Sequence, residues 1–304
     1  MGKIFPNYLN TYQSGTFTEK STRLKNLLKN CQVCPRNCQV NRLNDEVGDC
    51  QVGYEPIISS HFPHFGEETP LVGSRGSGTI FMAGCNLKCL FCQNYETSHM
   101  LEGRPVNVRH LGQMMLALQE SGCHNINIVT PSHVVPQMIE ALETAIEGGL
   151  KIPLVYNSSG YDSMKSLQLL DGLVDIYMPD FKFFSDNLAA RYTGVDDYAT
   201  VAMKAIREMH RQVGELVIEN GIAVRGLLIR HLVMPGYLEE SEKILNFIAE
   251  ELSLNTYLNI MPQYRPAGRA YQFDEINRPL SYPEFLGVIT IAKNLVFTRL
   301  DKED

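Results

Sequence analysis

Beyond residue 78 the chain alternates short apolar runs with longer amphipathic stretches. TIFMA (79–83), NINIVT (125–130), IPLVYN (152–157), LVDIYM (173–178), a segment within AVRGLLIRHLVM (223–234) and TYLNIM (256–261) are near-continuous apolar runs. Such runs read as strands buried on both faces. Between them the period changes. Residues 109–121 place Leu111, Met114, Met115 and Leu118 at i, i+3, i+4 and i+7, one face of a helix. Residues 132–147 are helical and stop at Gly148–Gly149, a C-terminal capping signal. Residues 162–171, 197–213, 238–252 and 281–296 complete the set, with Tyr198, Val201, Ala202, Ala205 and Met209 sharing a face of the helix at 197–213.

Six strands alternating with helices predict an α/β fold with parallel strands joined by helical crossovers. Polar residues gather just after the strands, at Thr130–His133, Asn157–Gly160, Asp180–Lys182 and Gln263–Arg269. Strand C-terminal ends carry the site in α/β barrels and open α/β sheets. The expected architecture is a partial (β/α)6 TIM barrel with its mouth at those ends; a flavodoxin-like open sheet is the alternative. No repeat of fixed period and no low-complexity tract is visible.

The first part of the chain reads differently. Residues 1–20 look like a polar surface arm, and 19–30 like a short amphipathic helix that delivers a cluster of cysteines. Residues 31–78 are rich in Gly, Pro and Asn and predict loops and short strands around a small metal-stapled subdomain. The expected division is 1–78 for the arm and cysteine-rich subdomain and 79–304 for the barrel.

Composition narrows the function classes. Of 304 residues, 44% are hydrophobic and 20% charged, as in a soluble globular protein, and the net charge is −7. An acidic balance disfavours a general nucleic-acid binder, including a zinc-stabilised module of that kind. No apolar run is long enough to span a membrane, and MGKIFPNYLNTYQSG lacks the apolar core of a signal peptide. The expectation is a cytoplasmic protein, where clustered cysteines serve as metal ligands and not as disulfides.

The eight cysteines fall into two groups and a singleton. GCNLKCLFCQNYETS (84–98) holds Cys85, Cys89 and Cys92 in C-x3-C-x2-C spacing. Thiolates are the soft donors that iron–sulfur clusters take. Three of them leave one iron of a four-iron cluster without a protein ligand, and an open coordination position marks a reactive centre. Phe91, between the last two cysteines, can shield a cluster or contact a purine. The competing reading is a zinc site completed by a distant His99 or His110. Cys31, Cys34, Cys38 and Cys50 supply four thiols, with Pro35 and Gly48 providing turns. Four thiolates suit structural zinc and an auxiliary iron–sulfur cluster alike. His61 and His64 lie downstream and offer a weaker replacement ligand. Cys123 stands alone and reads as a small buried apolar residue.

At the cysteine loop the sequence resembles the radical S-adenosylmethionine (SAM) superfamily, whose motif is C-x3-C-φ-x-C with φ usually aromatic. Here φ falls on Leu90 and the aromatic comes one place later, at Phe91. Within that superfamily the chain looks most like the pyruvate formate-lyase activating enzyme-related group. The likeness runs through CxxCPRNCxVNR, GTIFMAGCNLKCLFCQN, NINIVTPSH, PLVYNSSGY, DIYMPDFK, LLIRHLVMPG and NIMPQYRPAG.

The resemblance implies a radical SAM-type partial barrel and a [4Fe–4S] cluster on Cys85, Cys89 and Cys92. It implies SAM chelated to the open iron, and reductive cleavage to a 5′-deoxyadenosyl radical that abstracts hydrogen. It also implies an electron donor such as a flavodoxin or ferredoxin, and allows a protein glycine as the target. The GGE-like stretch that commonly receives the SAM amine is replaced by Val129-Thr130-Pro131-Ser132, leaving Thr130 and Ser132 as hydroxyl contacts. Asn157 and Ser159 offer small polar groups to a ribose or carboxylate. Asp180-Phe181-Lys182 resembles the D-x-K motif that contacts SAM, and two residues apart on an extended segment they face one way. Arg230 and His231 point to opposite faces of a strand, so one alone can line the barrel; His231 is the expected SAM neighbour. Gln263, Tyr264 and Arg265 are further candidates. The alternative function is a non-catalytic iron–sulfur electron carrier or sensor, which would need fully ligated clusters and no large cavity.

Overall fold

The structure is a computed structural model that describes residues 6–301. Nine strands and eleven helices follow one another as α1 (Asn7–Gln13), α2 (Thr16–Asn26), β1 (Ile57–His64), α3 (Thr69–Val72), β2 (Ser77–Met82), α4 (Tyr95–His99), β3 (Arg104–Pro105), α5 (Val108–Glu120), β4 (Ile126–Val129), α6 (Val135–Glu147), β5 (Leu154–Ser158), α7 (Met164–Leu170), β6 (Ile176–Pro179), α8 (Asp186–Thr193), α9 (Tyr198–Val213), β7 (Val217–Glu219), β8 (Ile222–Leu232), α10 (Leu238–Glu251), β9 (Tyr257–Met261) and α11 (Tyr282–Asn294).

The six expected strands are β2, β4, β5, β6, β8 and β9, and each pairs in parallel with the next. Their spatial order follows their chain order. An open flavodoxin-like sheet would show a reversal of strand order at a switch point. A strictly sequential parallel sheet instead curls toward a barrel, as the amphipathic crossovers predict. β1 adds an antiparallel strand beside β2, and β3 pairs with β1. The sheet therefore extends to both sides of residue 78.

Side chains alternate between two cores. Leu154, Tyr156, Ile229 and Leu258 join the large outer core beneath the helices. Val155, Ile176, Met178, Leu228 and Tyr257 form a separate inner cluster together with Leu71. Leu71 belongs to α3, so the turn that carries it plugs the barrel floor. Asn125 Nδ2 donates to the Leu71 carbonyl at 2.9 Å, and Thr69 N–H donates to Asp301 at 3.1 Å. These bonds hold the plug against the start of β4 and the chain beyond α11.

Residues 6–20 are not a surface arm. Residues 1–5 lie outside the described residues, but α1 and α2 form two helices with Tyr8, Phe17 and Leu24 buried. Phe17, Leu24 and Leu28 recur on one helical face, which packs on α6 and α7. Lys25 Nζ reaches Glu140 of α6 at 2.9 Å, and Tyr8 donates to the Ile152 carbonyl at 2.7 Å. Residues 31–56 follow as an irregular wrap with a single 3-10 turn at Arg42–Asn44. Arg42 is 1% exposed and its guanidinium donates to the carbonyls of Gly53 and His133, which ties the wrap to the barrel. Among the described residues no helix is long and apolar enough to cross a membrane.

Candidate active site

The loop after β2 enters through Gly84 at φ +79, where a Cβ would stand 2.7 Å from the Cys50 carbonyl oxygen. Only glycine fits so close an approach in a left-handed backbone. The loop is held at several points. Lys88 N–H and Leu90 N–H donate to the Thr193 and Tyr192 carbonyls, each at 2.8 Å. Asn86, fully buried, donates to the Tyr161 carbonyl at 2.6 Å. Phe91 lines the cavity and packs edge-on against Phe183, with ring centroids 5.9 Å apart.

Cys85, Cys89 and Cys92 all face one cavity of about 430 Å³. That is within the usual range for a small-molecule site. Leu87 N–H points at Cys85 Sγ at 3.4 Å, and Ser98 Oγ donates to Cys92 Sγ at 3.1 Å. Burial raises the Cys85 thiol to about 11 and pushes Cys89 up as well, while the nearby Lys182 charge favours the thiolate of both. Among the described residues, no three Cys, His, Asp or Glu side chains converge closely enough for one ion. His99 instead bonds Ser98 Oγ and stacks on Tyr95, and His110 is exposed on α5. Three soft donors on one wall, with neither His99 nor His110 beside them to complete a zinc site, fit an iron–sulfur cluster.

Opposite the thiols lies a half-buried ionic group. Asp180 Oδ2 accepts from Lys182 Nζ at 2.6 Å, and Asp180 Oδ1 accepts from Arg230 Nε at 2.7 Å. Arg230 Nη2 also donates to Asn157 Oδ1 at 2.7 Å. Burial alone would raise the Asp180 carboxyl, but Arg230 and Lys182 outweigh it and hold it at about 2. Burial likewise opposes the Lys182 ammonium, and Asp180 more than restores it. The Tyr198 hydroxyl bonds Lys182 N–H at 2.9 Å and lies 2.9 Å from the Ser159 carbonyl and 3.0 Å from that of Asp180, fixing both loops.

The sequence candidates separate in space. Thr130, Asn157, Ser159, Asp180, Lys182 and Gln263 line the cavity. Thr130 sits at φ +61, a left-handed backbone that a β-branched residue adopts only under constraint. Ser159 Oγ is buried and has no hydrogen-bond partner. Ser132 does not line the cavity; it is buried beside Tyr156 and Asp162. His231, the expected SAM neighbour, faces away from the cavity. Its ring is 4% exposed on the outer face of β8, with Nδ1 at 2.8 Å from the Phe181 carbonyl and Nε2 at 2.8 Å from Ser241 of α10. Burial lowers its pKa to about 4, so it is neutral. Arg230, its neighbour, lines the cavity in its place. Tyr264 is buried and donates to the Ile276 carbonyl at 2.7 Å, while Arg265 is exposed away from the cavity. Cys123 is 3% exposed within the outer core, as a small apolar residue.

Glu67 and Glu68 were not among the sequence candidates. They rise from the floor plug toward Arg230, at 3.7 and 4.0 Å from Nη1. Asn259 of β9 donates to Glu68 at 2.8 Å. Burial raises the Glu67 carboxyl to about 7 even though Arg230 opposes the shift. Two adjacent acids before a Thr-Pro helix start carry no motif, and only the fold brings them under the cavity.

Comparison with known proteins agrees with the geometry. The family model of the radical SAM superfamily matches residues 79–248. An uncharacterized protein of Methanocaldococcus jannaschii is 35% identical over 277 residues, 88% of this chain and 76% of its own. A second protein of that organism is 23% identical over 262 residues, 77% of this chain and 71% of its own. SuiB of Streptococcus suis bound to the precursor peptide SuiA aligns with a TM-score of 0.49 and 11% identity, over 72% of this chain and 46% of that one. Native anSMEcpe with bound AdoMet aligns with a TM-score of 0.48 and 12% identity, over 70% and 57%. The chain thus spans about half the length of these solved chains. The family match covers more than half of the sequence and includes the loop with Cys85, Cys89 and Cys92, so this chain belongs to the radical SAM superfamily.

Proposed function

We propose that this chain binds SAM beside a [4Fe–4S] cluster held by Cys85, Cys89 and Cys92, and directs hydrogen abstraction at a protein or peptide segment. The bound group would supply one electron to break the S–C5′ bond of SAM, leaving methionine and a 5′-deoxyadenosyl radical. The chain's own residues bind, orient and exclude. Asp180 is a carboxylate for the SAM ammonium; Lys182 and Arg230 are cations for its carboxylate. Their mutual pairing keeps all three charged in a water-poor site. Thr130, Asn157 and Ser159 offer hydroxyl and amide groups to the ribose or the amino-acid end. Phe81, Phe91, Leu232 and Met261 supply the apolar wall.

The observation that carries this reading is the shared cavity, with three thiols on one side and a half-buried acid–base triad on the other. A carrier or sensor of electrons has no use for that triad. A cavity of about 430 Å³ is filled by a metal cluster and one nucleoside-bearing ligand. The substrate then presents its reacting carbon from the mouth, as a glycine-bearing loop would in the pyruvate formate-lyase activating enzyme-related group. A flavodoxin or ferredoxin is the donor that fits, in the reducing cytoplasm where free thiols persist. Anaerobic reconstitution with iron and sulfide, then dithionite and SAM, is expected to yield 5′-deoxyadenosine. A fully loaded protein that leaves SAM intact would refute the reading.

A further inference from the structure

Outside the cavity, the cysteines of the N-terminal wrap form a second group. Cys31, Cys34 and Cys50 are buried, and Cys38 is half-buried. All are free thiols. Their backbones are tied together. Cys31 N–H donates to the Val40 carbonyl at 2.9 Å, and Gln39 N–H returns to the Cys31 carbonyl at 3.1 Å. Asp49 N–H points at Cys38 Sγ at 3.5 Å, with the Asp49 carboxylate at the same distance, and this brings Cys50 alongside. The Cys34 thiol is within electrostatic range of Cys50, Cys31 and Cys38, and Arg36 N–H, two residues on, bonds it.

The backbone here is strained. Asn37 (φ +48) and Gln39 (φ +59) flank Cys38, and Gln51 (φ +61) follows Cys50. Each left-handed non-glycine costs about 1 kcal/mol and persists where its surroundings over-determine it. At Gly48 a Cβ would meet Cys38 Sγ at 2.7 Å. A knot of four thiols with so little regular hydrogen bonding has its strain offset when a metal group joins them.

The metal class follows from position. Four thiolates suit zinc and an iron–sulfur cluster alike, but the wrap abuts the loop of Cys85, Cys89 and Cys92 at Gly84 and Asn86, where a redox-active group can exchange electrons with the first centre and redox-inert zinc cannot. We infer that Cys31, Cys34, Cys38 and Cys50 hold a second, fully ligated [4Fe–4S] cluster. It lies directly behind the first: the Cys50 carbonyl abuts Gly84, and Arg36 Nε donates to the Asn86 carbonyl at 2.8 Å. With four thiolates it has no open iron and leaves SAM alone.

Iron and acid-labile sulfide counting on the anaerobically reconstituted full chain tests this. Wild type is expected to hold about eight irons, and the Cys85→Ala/Cys89→Ala/Cys92→Ala variant about four, with a spectrum that SAM does not alter. Cys38→Ser, at the half-buried position, is expected to shift the spectrum of that remaining cluster. About four irons in wild type with none in the triple variant would overturn the inference, as would one tightly held zinc per chain. About four irons in wild type, all kept by the triple variant, would uphold this site and refute the reading of the cavity. The first two samples decide the matter even if a knot variant does not fold.

Discussion

The two cysteine groups differ in what surrounds them more than in their own chemistry. The loop of Cys85, Cys89 and Cys92 has three thiols, opens into a cavity, and faces Asp180, Lys182 and Arg230. The wrap of Cys31, Cys34, Cys38 and Cys50 has four thiols and closes on itself. A metal group with a vacant position next to a zwitterion-shaped set of charges is suited to reaction. A saturated one is suited to structure or storage. Ligand count and neighbouring charge together assign the roles.

The largest effect that would break the comparison comes from the ligands themselves. Cys92→Ala is expected to abolish SAM cleavage, at least a ~1,000-fold loss, because the reactive centre cannot assemble. Cys34→Ala is expected to lower it by less, roughly ~10-fold, through the packing of Cys50 on Gly84. 5′-Deoxyadenosine formation per loaded cluster measures both. Equal losses would erase the distinction between the groups.

Next in size is the triad of Asp180, Lys182 and Arg230. Asp180→Asn leaves Arg230 and Lys182 without their shared partner, and is expected to cost about 3–5 kcal/mol of stability and to weaken SAM binding. Arg230→Gln is expected to raise the Kd for SAM by roughly ~10- to 100-fold, while His231→Gln changes it less than ~2-fold and costs only about 1–2 kcal/mol of stability. Calorimetric titration and denaturant unfolding read these apart. The reverse ranking would mean that β8 presents its other face.

A great deal of this was legible in the sequence. The parallel strands are continuous apolar runs because both faces are covered, and that pattern survives without an alignment. The cysteine loop was legible because cysteine spacing is a local property. What stayed hidden depended on distant contacts. β1 carries Pro63 and two histidines and reads as loop, yet β2 recruits it as an antiparallel neighbour. Tyr8 and Phe17 are sparse apolar positions in polar surroundings; α2, which carries Phe17, packs on α6 and α7, and the Tyr8 hydroxyl reaches the Ile152 carbonyl. The parity of Arg230 and His231 is a register question. Leu228 faces the inner cluster, which fixes Arg230 inward and His231 outward, but no local signal said which way Leu228 pointed.

A smaller effect separates the cavity floor from the wrap. Folded Glu67 keeps its proton to about pH 7, whereas the ordinary carboxyl releases it near 4.5. Between those values the folded state binds more protons, so stability falls as pH rises through the window. Glu67→Gln is expected to flatten this slope and to gain about 2 kcal/mol at pH 8. Asp175, raised by burial to about 7, contributes a slope of the same sign that this variant leaves in place. Urea unfolding from pH 5 to 8 measures the difference; an unchanged slope would place the titrating group elsewhere.

The most direct test of the central claim is a single-turnover assay of reduced, anaerobically loaded protein with SAM, following 5′-deoxyadenosine and methionine. The account expects both products in equal amount from wild type and neither from Cys92→Ala. Product from that variant, or none from wild type with a complete cluster, would contradict it.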